Sequence, residues 1–232
     1  WPATRRLMAG RVLIALAASV IGMYLLARWL TGSIEASVIA AIVYTFCPFL
    51  FARTAHVQLM MIAPLPLALL AFHRFADGVT VSRAVVLGLA LGTQALFCSY
   101  YGVLAGLLVA LGMLVFAVVE GQWRRPRWWL LGLLAAAVSG LTVLPVLWKY
   151  LELQKETGFT RTIDEAYLYS AVWKAYFASS ALAHRWMLRY LQRWNEVLFP
   201  GFTAIIGGTI GAVVAFRRRA QHAIRLRPGI ET

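Results

Sequence analysis

The sequence predicts an all-α membrane protein, a polytopic transmembrane helical bundle of about seven spans with an amphipathic helical insertion on its extracytoplasmic side. Three observations predict it. Of 232 residues, 61% are hydrophobic and 13% charged, with a mean hydropathy of +0.73, too apolar for a domain with a solvated surface. The apolar segments are apolar on every face, whereas the strands of a membrane barrel alternate with period two. Trp1, Trp29, Trp123, Trp128, Trp129 and Trp148 lie near segment ends, where amphipathic rings favour the headgroup layer.

In chain order the spans read 8–30, 34–51, 59–75, 82–99, 101–119, 128–148 and 200–216. Turn signals separate them: Thr31-Gly32-Ser33, Asp77-Gly78, Glu120-Gly121 and Phe199-Pro200-Gly201. Three pairs of glycines at one-turn spacing, Gly88/Gly92, Gly102/Gly106 and Gly207/Gly211, permit close helix approach, most simply within the bundle itself. The expected organisation is a bundle over 1–148, interfacial helices over 149–199, a last span over 200–216 and a basic cytoplasmic tail over 217–232.

Charge sets the expected orientation. If Arg217, Arg218 and Arg219 are cytoplasmic, alternation places Arg28, Arg74, Arg83, Arg124, Arg125 and Arg127 on the same side. Arg53, His56, Gln58, the Cys98–Tyr101 connection and the segment 149–199 then fall outside. The N-terminus also falls outside, with Arg5 and Arg6 opposing the rule, and one further helix upstream of Trp1 would resolve this. The net charge of +13 sits at span flanks and not on one soluble face, which points to membrane lipids as partners and away from nucleic acid.

In the external segment, Thr162-Ile-Asp-Glu165 has capping-box spacing and predicts a helix carrying Ala166, Tyr167, Leu168, Val172 and Tyr176. Met187, Tyr190, Leu191, Trp194 and Leu198 recur at helical spacing, with Arg185, Arg189 and Arg193 four residues apart on another face. Such a helix lies in the membrane interface, its arginines bound to anionic lipid or to a polyprenyl phosphate.

The candidate site is the stretch from Cys47 to Gln58, where Pro48, Arg53, His56 and Gln58 interrupt apolar sequence and Pro64 and Pro66 follow. Backbone freed by proline at membrane depth needs partners in protein or in a water-filled cavity. Arg53 offers a forked donor for phosphate, His56 a proton switch and Gln58 an amide for hydroxyls, with Tyr100 and Tyr101 at the same level. The competing structural reading has Arg53 snorkelling, His56 capping a broken helix and the tyrosines forming an aromatic belt. Glu152, Glu156, Asp164, Glu165 and Glu196 are the external acids, and no two have a catalytic spacing. With two cysteines and four histidines in no ligand pattern, no metal site is expected. No nucleotide, haem or nucleophile-elbow motif occurs, so no cofactor is expected and any chemistry uses an already activated donor.

The segments Gly22-Met-Tyr-Leu-Leu-Ala-Arg28, Tyr44-Thr-Phe-Cys-Pro48, Arg53-x-x-His-x-Gln58, Pro66-Leu-Ala-Leu69, Gln94-Ala-Leu, Ser99-Tyr-Tyr-Gly102 and Glu196-Val-Leu-Phe-Pro-Gly201 occur in this order. Together they resemble the broad bacterial group of GT-C-like membrane glycosyltransferases. That resemblance implies a multi-pass protein of the bacterial inner membrane that takes a sugar from a polyprenyl-phosphate carrier at the extracytoplasmic face; the charge pattern above expects its C-terminus to be cytoplasmic. It also implies a catalytic acid in a first external loop, and no Asp or Glu precedes Arg28 here. The expected protein is therefore a truncated or non-catalytic form of such an enzyme. The alternative is an accessory subunit of a larger membrane complex.

Overall fold

The computed structural model describes residues 2–53, 56–158, 160, 162–179, 181–190 and 197–225. Among them every regular element is helical and no strand occurs. The α-helices are α1 (Pro2–Thr31), α2 (Ile34–Thr45), α3 (Pro48–Phe51), α4 (Val57–Met60), α5 (Pro64–Asp77), α6 (Val81–Phe97), α7 (Ser99–Val119), α8 (Pro126–Thr157), α9 (Ile163–Tyr169) and α10 (Phe202–Arg225). Among the described residues, five apolar stretches are long enough to cross a membrane: Gly10–Thr31, Ile34–Phe51, Gln58–Asp77, Ser99–Val119 and Pro126–Thr157. Val81–Phe97 and Phe202–Arg217 are apolar but shorter. The chain is a multi-pass membrane protein of all-α class.

Two compact units divide the chain, one of residues 1–45 with 53–171 and the other of 46–52 with 172–232. In the first unit α6 is central and packs against α5, α7 and α8, while α1 packs against α2 and α5. Phe72, Phe75, Leu87, Leu91, Val109 and Trp128 form its core, with small residues such as Ala84, Ala105 and Ala135 between them. Phe75 lies 5.2 Å from the Trp128 ring, and Phe72 meets Phe116 edge-on at 5.3 Å.

Two glycines explain how closely these helices approach. A Cβ on Gly88 would strike the Ala135 carbonyl oxygen and stand 2.7 Å from Val138 Cβ, so α6 and α8 touch backbone to backbone there. One on Gly102 would strike Ala95, which lets α6 turn into α7 through the single residue Cys98.

The sequence places the end of the bundle at 148, but α8 runs through it to Thr157. At 32 residues the helix is about 48 Å long, more than the roughly 30 Å hydrocarbon layer, so its last turns stand outside. Pro145 removes one donor without ending the helix, and Gly158, at φ 63°, supplies the left-handed residue that does. Likewise α10 continues past 216 to Arg225.

The helices expected over 149–199 differ from the sequence pattern. Thr162 Oγ1 accepts from Glu165 N at 3.3 Å, as the capping spacing predicts, but α9 stops at Tyr169 and excludes Val172 and Tyr176. Tyr176 falls in a 3₁₀ segment, Trp173–Phe177. The helix expected around Met187 is also 3₁₀ where described, over Leu182–Tyr190. At three residues per turn, Arg185 and Arg189 are about 120° apart, not the roughly 40° of an α-helix, so they form no stripe. Arg193, with Leu191, Trp194 and Glu196, lies outside the described residues.

In the second unit, Leu198 N donates to Ala175 O at 2.9 Å and Phe199 N to Ala178 O at 3.3 Å. His184, Phe199 and Phe202 pack edge to face, with the two phenylalanines 4.8 Å apart. Gly201, at φ 103°, leaves 3.1 Å between its would-be Cβ and Pro48 Cδ, so α3 belongs with the Phe199–Gly201 turn.

Candidate functional site

The polar break is built from unwound backbone. Pro64 and Pro66 have no N–H, so the carbonyls of Met60 and Ile62 lose the donors that a continuous helix supplies. The chain answers with a tight bend: Met61, at φ −82° and ψ 65°, has inverse γ-turn geometry, and Ile62 N reaches Met60 O at 2.9 Å. Leu65 N then donates to Ile62 O at 3.2 Å.

Side chains from three other helices secure this bend. Tyr44 of α2 donates its hydroxyl to Ile62 O at 2.9 Å. Gln94 of α6 donates Nε2 to Met61 O at 3.4 Å, and Tyr101 of α7 its hydroxyl to Leu59 O at 3.3 Å. Backbone opened in an apolar layer is thus satisfied by protein, which is the condition for its existence there. Gly22 of α1 completes the enclosure, since a Cβ on it would stand 2.8 Å from Ala63 O and 3.2 Å from Pro66 Cγ. Gln94 is fully buried, and its Oε1 has no hydrogen-bond partner among the described residues.

The predicted site residues sort into two groups on this frame. Arg53, His56 and Gln58 lie on the chain leading into the bend: His56 N donates to Arg53 O at 2.8 Å, and Leu59 N to His56 O at 2.8 Å. His56 occupies the N-cap position of α4, but its side chain makes no capping bond. Its imidazole and the Gln58 amide are exposed, and Arg53 is half-buried. Tyr101 differs, because its hydroxyl proton is committed to Leu59 O and is not offered to a ligand. Tyr100 is about 100° round α7 from Tyr101 and 66% exposed.

The break is not one wall. Residues 46–52, including Pro48, belong to the second compact unit, whereas Arg53, His56, Gln58 and the bend belong to the first. Reasoning from sequence missed the roles of Tyr44 and Gln94. Gln94 carried a usable signal, an amide inside an apolar span with no charge or proline beside it, which in an apolar layer must have a partner.

Arg185 and Arg189 are both exposed in the second unit, and the Arg189 guanidinium lies 5.8 Å from the Trp186 ring centroid. Of the acids expected on the external side, Glu152 pairs with Lys149 at 2.7 Å and accepts from Trp148 Nε1 at 2.6 Å. Asp164 and Glu165 occupy the first turn of α9, where a carboxylate complements the helix dipole. Among the described residues no group of three or more His, Cys, Asp or Glu side chains is placed to hold a metal ion. Cys47 and Cys98 are free thiols.

Comparison with protein-family models, with curated proteins and with solved structures finds no match to this chain.

Proposed function

We propose that this chain forms the body of a GT-C-like membrane transferase that receives a polyprenyl-phosphate-linked sugar, with Arg53, His56 and Gln58 contributing recognition. The supporting observation is the secured bend: exposed imidazole and amide groups and a half-buried guanidinium precede unwound backbone whose carbonyls are held by Tyr44, Gln94 and Tyr101. A guanidinium suits a phosphate oxygen, and an amide suits sugar hydroxyls. No carboxylate is assigned to catalysis; Glu152 is paired with Lys149, and Asp164 and Glu165 lie in the first turn of α9. Arg28, Arg74, Arg83, Arg124, Arg125 and Arg127 flank the opposite ends of the spans, which supports an extracytoplasmic break, a cytoplasmic C-terminus and residence in a bacterial inner membrane.

The test is binding of a radiolabelled polyprenyl-phosphate-linked sugar by the reconstituted protein. Arg53→Ala and His56→Ala are each expected to weaken binding by about tenfold or more, the effect of losing one charge-assisted hydrogen bond. Binding unaffected by both substitutions removes the site.

One observation favours a second reading, a subunit of a larger membrane complex. On α10, Ile205, Ile206, Ile210, Val213 and Val214 are exposed, and Gly207, Gly208 and Gly211 have open space around them, a surface suited to a partner helix. A stable monomer in mild detergent, with no co-purifying protein, counts against it.

A further inference from the structure

A second polar feature lies away from the break, where α1 and α5 end and α6 begins. Trp29, Ala71, Arg74, Asp77, Ser82, Arg83 and Val86 line a groove of about 370 Å³, within the size range of small-ligand sites. Its position is interfacial, because the apolar stretches Gly10–Thr31 and Gln58–Asp77 both finish beside it. Trp29, its ring tilted against His73 with centroids 5.2 Å apart, is the aromatic expected at that level.

The charges in the groove are held apart. Arg83 is pinned across the end of α5, with Nη1 donating to Arg74 O at 2.6 Å and to Gly78 O at 3.3 Å. Gly78 makes room for this, since a Cβ there would stand 3.2 Å from Arg83 Cζ. The rest of the Arg83 fork remains available, as one guanidinium carries five N–H donors. Ser82 sits in the first turn of α6, whose N-terminus favours an anion. Asp77 supplies the opposite charge, and among the described residues neither Arg74 nor Asp77 is in an ion pair. The groove therefore offers two guanidinium groups and a helix N-terminus beside one carboxylate, with Trp29, Ala71 and Val86 as apolar walls.

We propose that this groove binds the headgroup of an aminophospholipid, its phosphate on Arg74, Arg83 and Ser82 and its primary ammonium on Asp77. A phosphate alone would leave Asp77 facing an anion. A headgroup carrying a phosphate ester and an ammonium two carbons away matches both signs at once. A quaternary ammonium has no N–H to donate to the carboxylate, so choline headgroups fit less well. Exposed Val86 and Leu89 on α6 continue the apolar wall along which acyl chains lie.

The experiment is native mass spectrometry of the full chain in detergent, titrated with phosphatidylethanolamine, phosphatidylglycerol or phosphatidylcholine, and in a separate arm with inorganic phosphate. Phosphatidylethanolamine is expected to bind about tenfold more tightly than either other lipid, the worth of one charge-assisted hydrogen bond. Asp77→Asn should abolish its advantage over phosphatidylglycerol, and Arg74→Gln should weaken all three lipids. Arg124→Gln, a basic residue outside the groove, should change none. Arg74→Lys keeps the charge and serves if Arg74→Gln does not fold; it should show a smaller loss of the same kind. The proposal is overturned if phosphatidylglycerol binds as well as phosphatidylethanolamine, if Asp77→Asn leaves the preference intact, or if Arg124→Gln matches Arg74→Gln. Inorganic phosphate displacing the lipid at equal concentration would assign the groove to a free anion instead.

Discussion

The three side chains that hold the bend at Leu59–Ile62 differ in worth, and the order follows from their geometry. Tyr44 donates to Ile62 O at 2.9 Å, the best of the three bonds. Tyr44→Phe removes it and leaves Ile62 O with Leu65 N at 3.2 Å, so the carbonyl is not orphaned and the cost is about 1 kcal/mol. Tyr101→Phe removes a longer bond, 3.3 Å to Leu59 O, for about 0.5 kcal/mol. Gln94→Leu removes a 3.4 Å bond to Met61 O but also eliminates the buried, unpartnered Oε1. One orphan acceptor replaces another, and the net change is within about 0.5 kcal/mol of zero. Thermal unfolding in detergent, followed by circular dichroism, reads the order. For a chain of this size about 1 kcal/mol corresponds to roughly 2–4 °C in Tm, so Tyr44→Phe should fall by that amount and Gln94→Leu should stay near wild type. Hydrogen exchange of the amides around Leu59–Leu65 should rise most for Tyr44→Phe. A Gln94→Leu protein less stable than Tyr44→Phe, or a Tyr44→Phe protein unchanged in both measurements, refutes the reasoning.

Two further expectations concern packing and capping. Gly88→Ala should lower Tm by a few degrees, because its Cβ meets the Ala135 backbone and the overpacking cost of about 1–3 kcal/mol exceeds the roughly 1 kcal/mol gained in helix propensity. Gly106→Ala, with nothing within 4 Å, should raise Tm, and equal shifts of one sign for both would contradict the α6–α8 contact. Thr162→Ala should cost about 1 kcal/mol locally by removing the cap on Glu165 N, seen as faster exchange across α9 with Tm unchanged.

The membrane-spanning character was legible because it rests on local composition: a segment apolar on all faces admits few structures in lipid. The same locality explains what was not legible. Nothing near residue 148 ends α8, and its true stop depends on Gly158, ten residues further on. The 3₁₀ winding of Leu182–Tyr190 reverses an inference drawn from four-residue spacing, since that spacing has meaning only once the residues per turn are known. Pro48 reads as the start of a polar break, yet its packing partner is the turn at Gly201, far away in sequence. Tyr44 and Gln94 show the same limit from the other side. Their polarity marks them as needing partners, but which carbonyls they serve depends on how α2, α6 and α7 converge on the bend.

That convergence changes how the candidate site is to be understood. In an apolar layer each carbonyl freed by Pro64 and Pro66 is a debt of about 1–3 kcal/mol unless a donor reaches it. Tyr44 meets that need at Ile62 O, Gln94 and Tyr101 serve the neighbouring carbonyls of Met61 and Leu59, and a donor consumed by backbone is not offered to a substrate. Before the bend, His56 and Gln58 are exposed and His56 makes no capping bond. Tyr101 therefore belongs with the frame, and in the function proposed above recognition falls to Arg53, His56 and Gln58. A Tyr101→Phe protein should accordingly lose stability without losing specificity for a ligand, whereas His56→Ala should do the reverse. The two substitutions separate scaffold from site.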